Sequence, residues 1–192
     1  MKKYRILLAI SVISVILLVL VSAFLVFVIH AKKPNQKIYQ DTKISTIKEA
    51  YGYADDYAKR YLGNKYELYI IEGRNEKDFN GEIGFIYTRR VKYFPDAFCV
   101  IIDTCNNRIE CEYYAEANRL LGGNPDQCIN IQNWNFNIET ALTAASELGI
   151  DYDEIQWHTV YEDKIAVFFL KNGHRIDQLD FNVFTAERVI AG

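Results

Sequence analysis

The apolar positions divide the chain into one uninterrupted hydrophobic run and a patterned remainder. The run, Ile6–Ile29, contains no charged residue. As an α-helix it would extend about 36 Å, enough to cross a hydrocarbon core of about 30 Å. Cleaved signal peptides have apolar cores of about 7–15 residues, and this run continues through Phe24–Ile29 beyond the small residues Ser22-Ala23. The pattern therefore predicts a retained N-terminal transmembrane helix that acts as a signal anchor.

Basic residues flank this run on both sides, so their number does not orient it. They are Lys2, Lys3 and Arg5 before the run and Lys32, Lys33 and Lys37 after it. A short basic N-terminal tail is typical of an anchor whose N-terminus lies inside the cell. We therefore expect localisation to the cell membrane, single-pass, with the anchor in contact with membrane lipid and the C-terminal domain outside the cytoplasm.

The first part of the remainder predicts one helix followed by four strands. Apolar residues recur at helical spacing between Ile44 and Tyr61, with Thr42 or Ser45 as the cap and Gly63 as the stop. Runs of branched and aromatic residues then predict the strands Tyr66–Glu72, Gly81–Lys92, Ala97–Asp103 and Arg108–Tyr114. Asn106-Asn107 suits a tight turn before the last strand, because Asn tolerates a positive φ.

The second part repeats this order after the loop sequence Gly122–Pro125. A helix is predicted over Ile138–Leu148, capped by Asn137 and stopped by Gly149. The predicted strands are Ile155–Tyr161, Lys164–Leu170, His174–Val183 and Arg188–Ala191, and Asn172-Gly173 predicts a two-residue hairpin turn. Residues 165–170 are apolar on both faces, which predicts a central, covered strand.

The predicted fold class is α+β, with an N-terminal transmembrane helix followed by two helix-plus-antiparallel-sheet units that pack on each other. The predicted domains are the anchor (1–31), a polar neck (32–43), a first unit (44–118) and a second unit (119–192). The repeated order and the similar closing turns, residues 102–107 and 181–186, favour a degenerate internal duplication.

The closing turns also carry a resemblance to a known family. A helix, strands and a final hairpin of the form V-D-x-x-T-G-x-V are similar to the PepSY domain and the wider cystatin-like group. The matching residues are Ile102-Asp103 with Asn106-Asn107, and Asn182 with Thr185-Ala186. One anchor followed by two such units resembles single-pass cell-envelope proteins of the YpmB type from Gram-positive bacteria. The resemblance implies a binding or inhibitory module for proteases and envelope enzymes, and it implies no catalytic residue.

Charge is distributed unevenly between the two halves. Residues 32–119 have fifteen basic and fourteen acidic side chains, a net charge of +1, whereas residues 120–192 have four and eleven, a net charge of −7. This asymmetry argues against nucleic acid as a partner of the second half.

The four cysteines, Cys99, Cys105, Cys111 and Cys128, lack the C-x-x-C spacing of zinc or redox sites. A disulfide between Cys99 and Cys111 depends on the length of the loop between their strands. A five-residue loop would place the two side chains opposite each other, whereas a four-residue loop would place them on opposite faces and forbid the bond. Buried thiols in strands are the alternative.

One basic cluster is interleaved with aromatic residues and is a candidate surface-contact patch. It consists of Arg89, Arg90, Lys92, Tyr93 and Phe94. Such a patch could contact anionic headgroups or a wall polymer. The alternative is a charged strand edge that discourages aggregation.

Other polar residues give weak indications of chemistry. His158 and His174 have no marked nucleophile or further ligands in the sequence, and the loop containing Asp151, Asp153 and Glu154 lacks the pattern of a calcium site. We therefore predict no catalytic residue, no metal and no cofactor.

The predicted function is a membrane-anchored extracytoplasmic binding or regulatory module that modulates a cell-envelope protein such as a protease or wall enzyme. One alternative is an enzyme with an unrecognised carboxylate/His site. The other alternative is a structural subunit of a membrane complex.

Overall fold

A computed structural model describes residues 11–23, 36–38, 44–75, 80–89, 96–114, 129–161 and 163–190. Contacts between Cα atoms divide the chain into two compact units, Met1–Lys32 and Lys33–Gly192. The predicted domain boundary near residue 119 lies outside the described residues.

The structure contradicts the predicted transmembrane signal anchor. Residues 11–23 of the apolar run form a helix. Across the described ranges, no helix is both long and apolar enough to cross a membrane. The rest of the run, residues 6–10 and 24–29, lies outside those ranges.

The first helix of the larger unit, α1 (Ile47–Tyr61), begins with a capping box. The Thr46 hydroxyl accepts a hydrogen bond from the Glu49 N–H at 3.1 Å, and the Glu49 carboxylate accepts one from the Thr46 N–H at 3.2 Å. Ser45 also donates its N–H to this carboxylate at 2.7 Å, which contributes to lowering the pKa of Glu49. The cap is therefore one residue beyond the predicted Ser45, because only Thr46 is three residues before a glutamate.

Within the described residues, nine strands and a second helix complete the unit. The strands are β1 (Gln36–Lys37), β2 (Glu67–Asn75), β3 (Gly81–Arg89), β4 (Asp96–Asp103), β5 (Arg108–Tyr113), β6 (Glu154–Tyr161), β7 (Lys164–Lys171), β8 (His174–Asn182) and β9 (Arg188–Val189). A 3-10 turn (Ile131–Asn133) and helix α2 (Ile138–Glu147) lie between β5 and β6. The strands agree with the prediction to within a few residues, apart from β1, which lies in the predicted polar neck.

All nine strands belong to one antiparallel sheet in the order β1-β5-β4-β3-β2-β6-β7-β8-β9. Each helix is followed by a four-strand meander, β2–β5 after α1 and β6–β9 after α2, and the meanders join through their first strands. The prediction of two units, each with its own sheet, is therefore wrong. Edge pairing of β2 with β6 satisfies backbone groups that face-to-face packing of two sheets would leave exposed.

Both helices pack on the same face of this sheet. Small residues of α1, Ala50 and Ala54, and of α2, Ala141 and Ala145, are fully buried in a core shared with strand residues of both meanders. The absence of larger side chains at these positions allows the helices to approach the strands closely. We call this face of the sheet the inner face and the opposite one the outer face.

The two predicted closing turns have the same geometry. The Asp103 carboxylate accepts hydrogen bonds from the N–H groups of the second and third residues after it, both at 3.0 Å. The Asn182 amide oxygen does the same at 2.9 and 3.0 Å. Four residues after each of these, Asn107 and Ala186 have positive φ angles of 49° and 59°. Asn107 thus takes the backbone role predicted for it.

Two further predictions about β7 and β8 are confirmed. Asn172 and Gly173 have positive φ angles of 52° and 75° and form the two-residue hairpin between Lys171 and His174. Strand β7 lies between two other strands, and its side chains are buried on both faces, Val167 on the inner face and Ala166 on the outer one.

The seam between the meanders is short and tightly packed. Only four residue pairs join β2 to β6, from Glu72 with His158 to Asn75 with Ile155. Gly73 is opposite Trp157, and a Cβ added to Gly73 would come within 2.3 Å of the indole ring. The Trp157 indole N–H donates to the buried Asn75 side-chain oxygen at 2.8 Å. Trp157 therefore fills the space that a side chain at residue 73 would occupy.

We predict that Gly73→Ala lowers the free energy of unfolding by about 1–3 kcal/mol or more, because the methyl group overpacks a fully buried indole. The matched control is Gly52→Ala in α1, where an added Cβ meets nothing within 4 Å. This control should be neutral or stabilising by up to about 1 kcal/mol. Urea unfolding of the full chain measures both values, and wild-type stability of Gly73→Ala would contradict the description of the seam.

Candidate functional site

A groove of about 590 Å³ crosses the outer face of the sheet. Side chains alternate between faces along a strand, so the neighbours of the inward-facing Gly73 and Trp157 project outward into this groove. Its lining residues come from seven adjacent strands, β5 through β8 in sheet order. At about 4.8 Å per strand, the groove is about 29 Å long.

On the floor of the groove, a glycine takes the place of a larger residue on the outer face. Gly84 lies in register between Ile101 of β4 and Glu72 of β2. A Cβ at Gly84 would come within 2.9 Å of the Cys99 sulfur. Cys99 itself belongs to a small apolar cluster on this face, with Ile86 and Ala97. The floor of the groove is therefore apolar.

From His158 near the middle of the groove to Arg175 at one end, the lining is aromatic and basic. The ring centroids of His158 and Phe168 are 5.2 Å apart, and the Arg175 guanidinium carbon lies 4.2 Å from the Phe168 centroid. Arg175 also donates to the Gln178 side-chain oxygen. Partial burial, followed by the charge of Arg175, lowers the pKa of His158. The His158 side chain is therefore held towards its neutral form.

The other end of the groove is acidic. Glu82 of β3 and Glu112 of β5 are exposed, and Glu72 lies between this end and His158. Burial first, and then the charges of Glu72 and Glu112, raise the pKa of Cys99 well above its usual range. The nearby cation Arg74 is held by Glu154, with nitrogen–oxygen distances of 2.8 and 2.9 Å. Glu82 and Glu112 therefore give this end its acidic character, with Arg74 opposite Glu82 in register.

The structure does not contain the candidate disulfide between Cys99 and Cys111. Asp103 pairs with Arg108, so the loop between β4 and β5 has the four residues 104–107. In this register Cys99 is opposite Glu112 and Cys111 is opposite Val100. The two thiols consequently lie on opposite faces of the sheet, both buried. Cys128 lies outside the described residues.

The predicted basic patch falls almost entirely outside the described residues, which include Arg89 but not Arg90, Lys92, Tyr93 or Phe94. Arg89 pairs in the sheet with Asp96. Its guanidinium lies 5.7 Å from the centre of the Tyr66 ring. The patch as a whole stays a prediction.

The residues considered for acid–base chemistry or cation binding are not brought together. His158 lines the groove, whereas His174 is at the β7–β8 turn. Asp151 pairs with Lys171 at 2.8 Å, and Asp153 accepts the Asn172 N–H at 2.9 Å, so both support the hairpin. In the part of the chain that the structure describes, no three His, Cys, Asp or Glu residues are arranged to hold a metal ion.

The sequence had not singled out most of the groove residues. Glu72, Glu82 and Glu112 are polar residues within strands, and Phe168 is on a strand already predicted to be covered on both faces. The sequence pattern that could have indicated them is their alternation along the strands with inward-facing residues such as Ile83 and Cys111. That signal assigns each side chain to a face, but it does not indicate which strands are neighbours.

No family model, no curated protein and no solved structure matches this chain. The resemblance to PepSY and cystatin-like domains therefore stays a prediction based on the turn residues and on the order of elements.

We predict that thiol reagents distinguish the cysteines of the folded chain. Cys105 is exposed, whereas Cys99 is buried and its pKa is raised, so little thiolate forms there. Site-resolved mass spectrometry should find Cys105 alkylated at least about tenfold faster than Cys99. In urea the two rates should converge. Equal alkylation rates of Cys105 and Cys99 in the folded chain would contradict the burial of Cys99 at the floor of the groove.

We also predict that His158 makes folding less favourable as the pH falls below about 6.5. The lowered pKa means that the unfolded chain binds the proton more readily than the folded chain, so protonation favours unfolding. His158→Gln should reduce the loss of stability between about pH 6.5 and 5, measured by urea unfolding across this range. His174→Gln is the matched control. An equal change in the pH dependence of stability for both variants would contradict the role given to His158.

Proposed function

We propose that this chain is a binding or regulatory module and that the outer-face groove is its binding surface. The observation that supports the proposal is the continuous groove across seven strands, with an apolar floor and charged ends. Apolar floors with a few placed polar groups are typical of binding sites in proteins.

The dimensions of the groove favour an extended protein segment as the bound partner. A length of about 29 Å corresponds to about eight or nine residues of extended chain at about 3.3 Å per residue. Such a segment could contact the acidic end, the glycine floor and the aromatic end at the same time. The identity of the target as a cell-envelope protease or wall enzyme, and the location outside the cytoplasm, stay predictions from the resemblance and the sequence.

The alternative functions have less support. An enzyme would need its candidate groups in one place, and among the described residues His158 is separated from His174, while Asp151 and Asp153 stabilise a hairpin. A structural subunit remains compatible with the fold, but no particular contact in the described residues favours it.

The proposal predicts that a bulky residue in the groove abolishes capture of the partner. His158→Trp places a large side chain at the centre of the groove, on an exposed strand position that tolerates aromatic residues. Val160→Trp is the matched control, because Val160 is also exposed on β6 and does not line the groove. The full chain serves as bait in quantitative pull-down experiments.

The expected result is a reproducible partner that is retained by wild type and Val160→Trp and lost by His158→Trp. Circular dichroism and urea midpoints establish that both variants fold. Equal retention by both variants would place the binding surface elsewhere, and the lack of any reproducible partner would contradict a binding function.

A further inference from the structure

The charges that line the groove are unequally compensated. Arg74 and Arg175 are the two basic residues of the lining. Arg74 forms a two-point ion pair with Glu154, and Arg175 packs on Phe168 and donates to Gln178. Both cations are thus already engaged by neighbouring side chains.

The exposed carboxylates of the acidic end, Glu82 and Glu112, are less engaged by neighbouring side chains than the two arginines are. Among the described residues, Glu82 and Glu112 take part in no ion pair, although Glu82 is opposite Arg74 in register and its charge contributes to raising the pKa of Arg74. Glu82 is in register with Asp103, and Glu112 is in register with Cys99, four residues further back along β4. With about 4.8 Å between strands and about 3.4 Å per residue, the two glutamates are separated by about 17 Å. This separation spans about five residues of an extended chain.

The surface between these glutamates suits long basic side chains. Gly84 and Ile101 form an apolar floor there, next to the buried Cys99. Lys and Arg can lay their methylene stems on such a surface while their charged heads reach a carboxylate. At the opposite end, Arg175 already lies over the Phe168 ring, which shows that this ring can hold a guanidinium group.

We propose that the groove binds an extended basic segment of a partner protein, with Lys or Arg side chains at Glu82 and Glu112 and the backbone over Gly84. This inference rests on the proposed function, since it assigns a partner chemistry to the same groove. Its basis is charge complementarity, because Glu82 and Glu112 form no ion pair among the described residues, whereas Arg74 and Arg175 are engaged by Glu154, Phe168 and Gln178. A segment with alternating basic residues places every second side chain towards the sheet.

The test uses nine-residue fluorescent peptides with blocked ends, one alternating Lys with Thr and one alternating Glu with Thr. Threonine favours extended chain, so both peptides suit the groove. Fluorescence anisotropy measures their binding to the full chain and to Glu82→Gln/Glu112→Gln. The control is Glu139→Gln/Glu147→Gln, which removes the same charge from exposed positions of α2.

The expected result is binding of the Lys peptide, no binding of the Glu peptide, and an affinity about three- to thirtyfold lower for the groove double variant. The α2 double variant should bind like wild type. Urea midpoints identify any variant whose fold has changed, and single Glu82→Gln and Glu112→Gln variants replace a double variant that does not fold.

Equal weakening by both double variants would overturn the inference, since it would indicate attraction to the net negative chain rather than to the groove. Failure of the Lys peptide to bind would also overturn it. In that case, loss of a pulled-down partner in His158→Trp would still support the groove as a binding surface. The failure of the partner chemistry is therefore distinguishable from the failure of the proposed function.

Discussion

The packing of Trp157 against Gly73 is the interaction on which the rest of the structure depends. Four residue pairs are the whole ladder between β2 and β6, so the continuity of a nine-stranded sheet relies on a short seam. The indole covers the glycine on the inner face and donates to the buried Asn75. On the outer face, Arg74 pairs with Glu154 across the same two strands. The seam is thus held from both sides of the sheet.

The seam also explains where the groove lies. Once the strands are joined, side chains of both meanders lie next to each other on the outer face and line the groove. Glu72 and His158, which are opposite each other in the seam, lie at the middle of the groove. The acidic end comes from the first meander, and the end containing Phe168 comes from the second. A groove of this length requires both meanders in one sheet.

Much of the local structure was predictable because the relevant signals are local. Asn172-Gly173 specifies its hairpin through positive φ angles, and Asp103 and Asn182 specify closing turns by accepting hydrogen bonds from the residues that follow. Strand and helix positions followed from periodicity. The cap of α1 was predicted at Thr42 or Ser45, whereas the capping box with Glu49 places it at Thr46.

The long-range arrangement was not predictable from such signals. Nothing local to Gly73 or Trp157 indicates that they face each other, since they are separated by 84 positions of sequence. Whether Cys99 and Cys111 could form a disulfide depended on the length of the loop between β4 and β5. A change of one residue in that loop determines whether the two side chains share a face. Periodicity likewise assigns Glu82 and Glu112 to the outer face without indicating that they line one groove. The apolar run predicted a membrane-spanning helix, whereas across the described residues no helix is long and apolar enough to cross a membrane.

The central claim, that β2 and β6 join the two meanders into one sheet, can be tested directly by nuclear magnetic resonance. Backbone NOEs should connect Glu72 with His158, Gly73 with Trp157, and Arg74 with Gln156, as expected for antiparallel partners. We expect these contacts in the full chain. Intact NOEs within each meander, but none between β2 and β6, would contradict it.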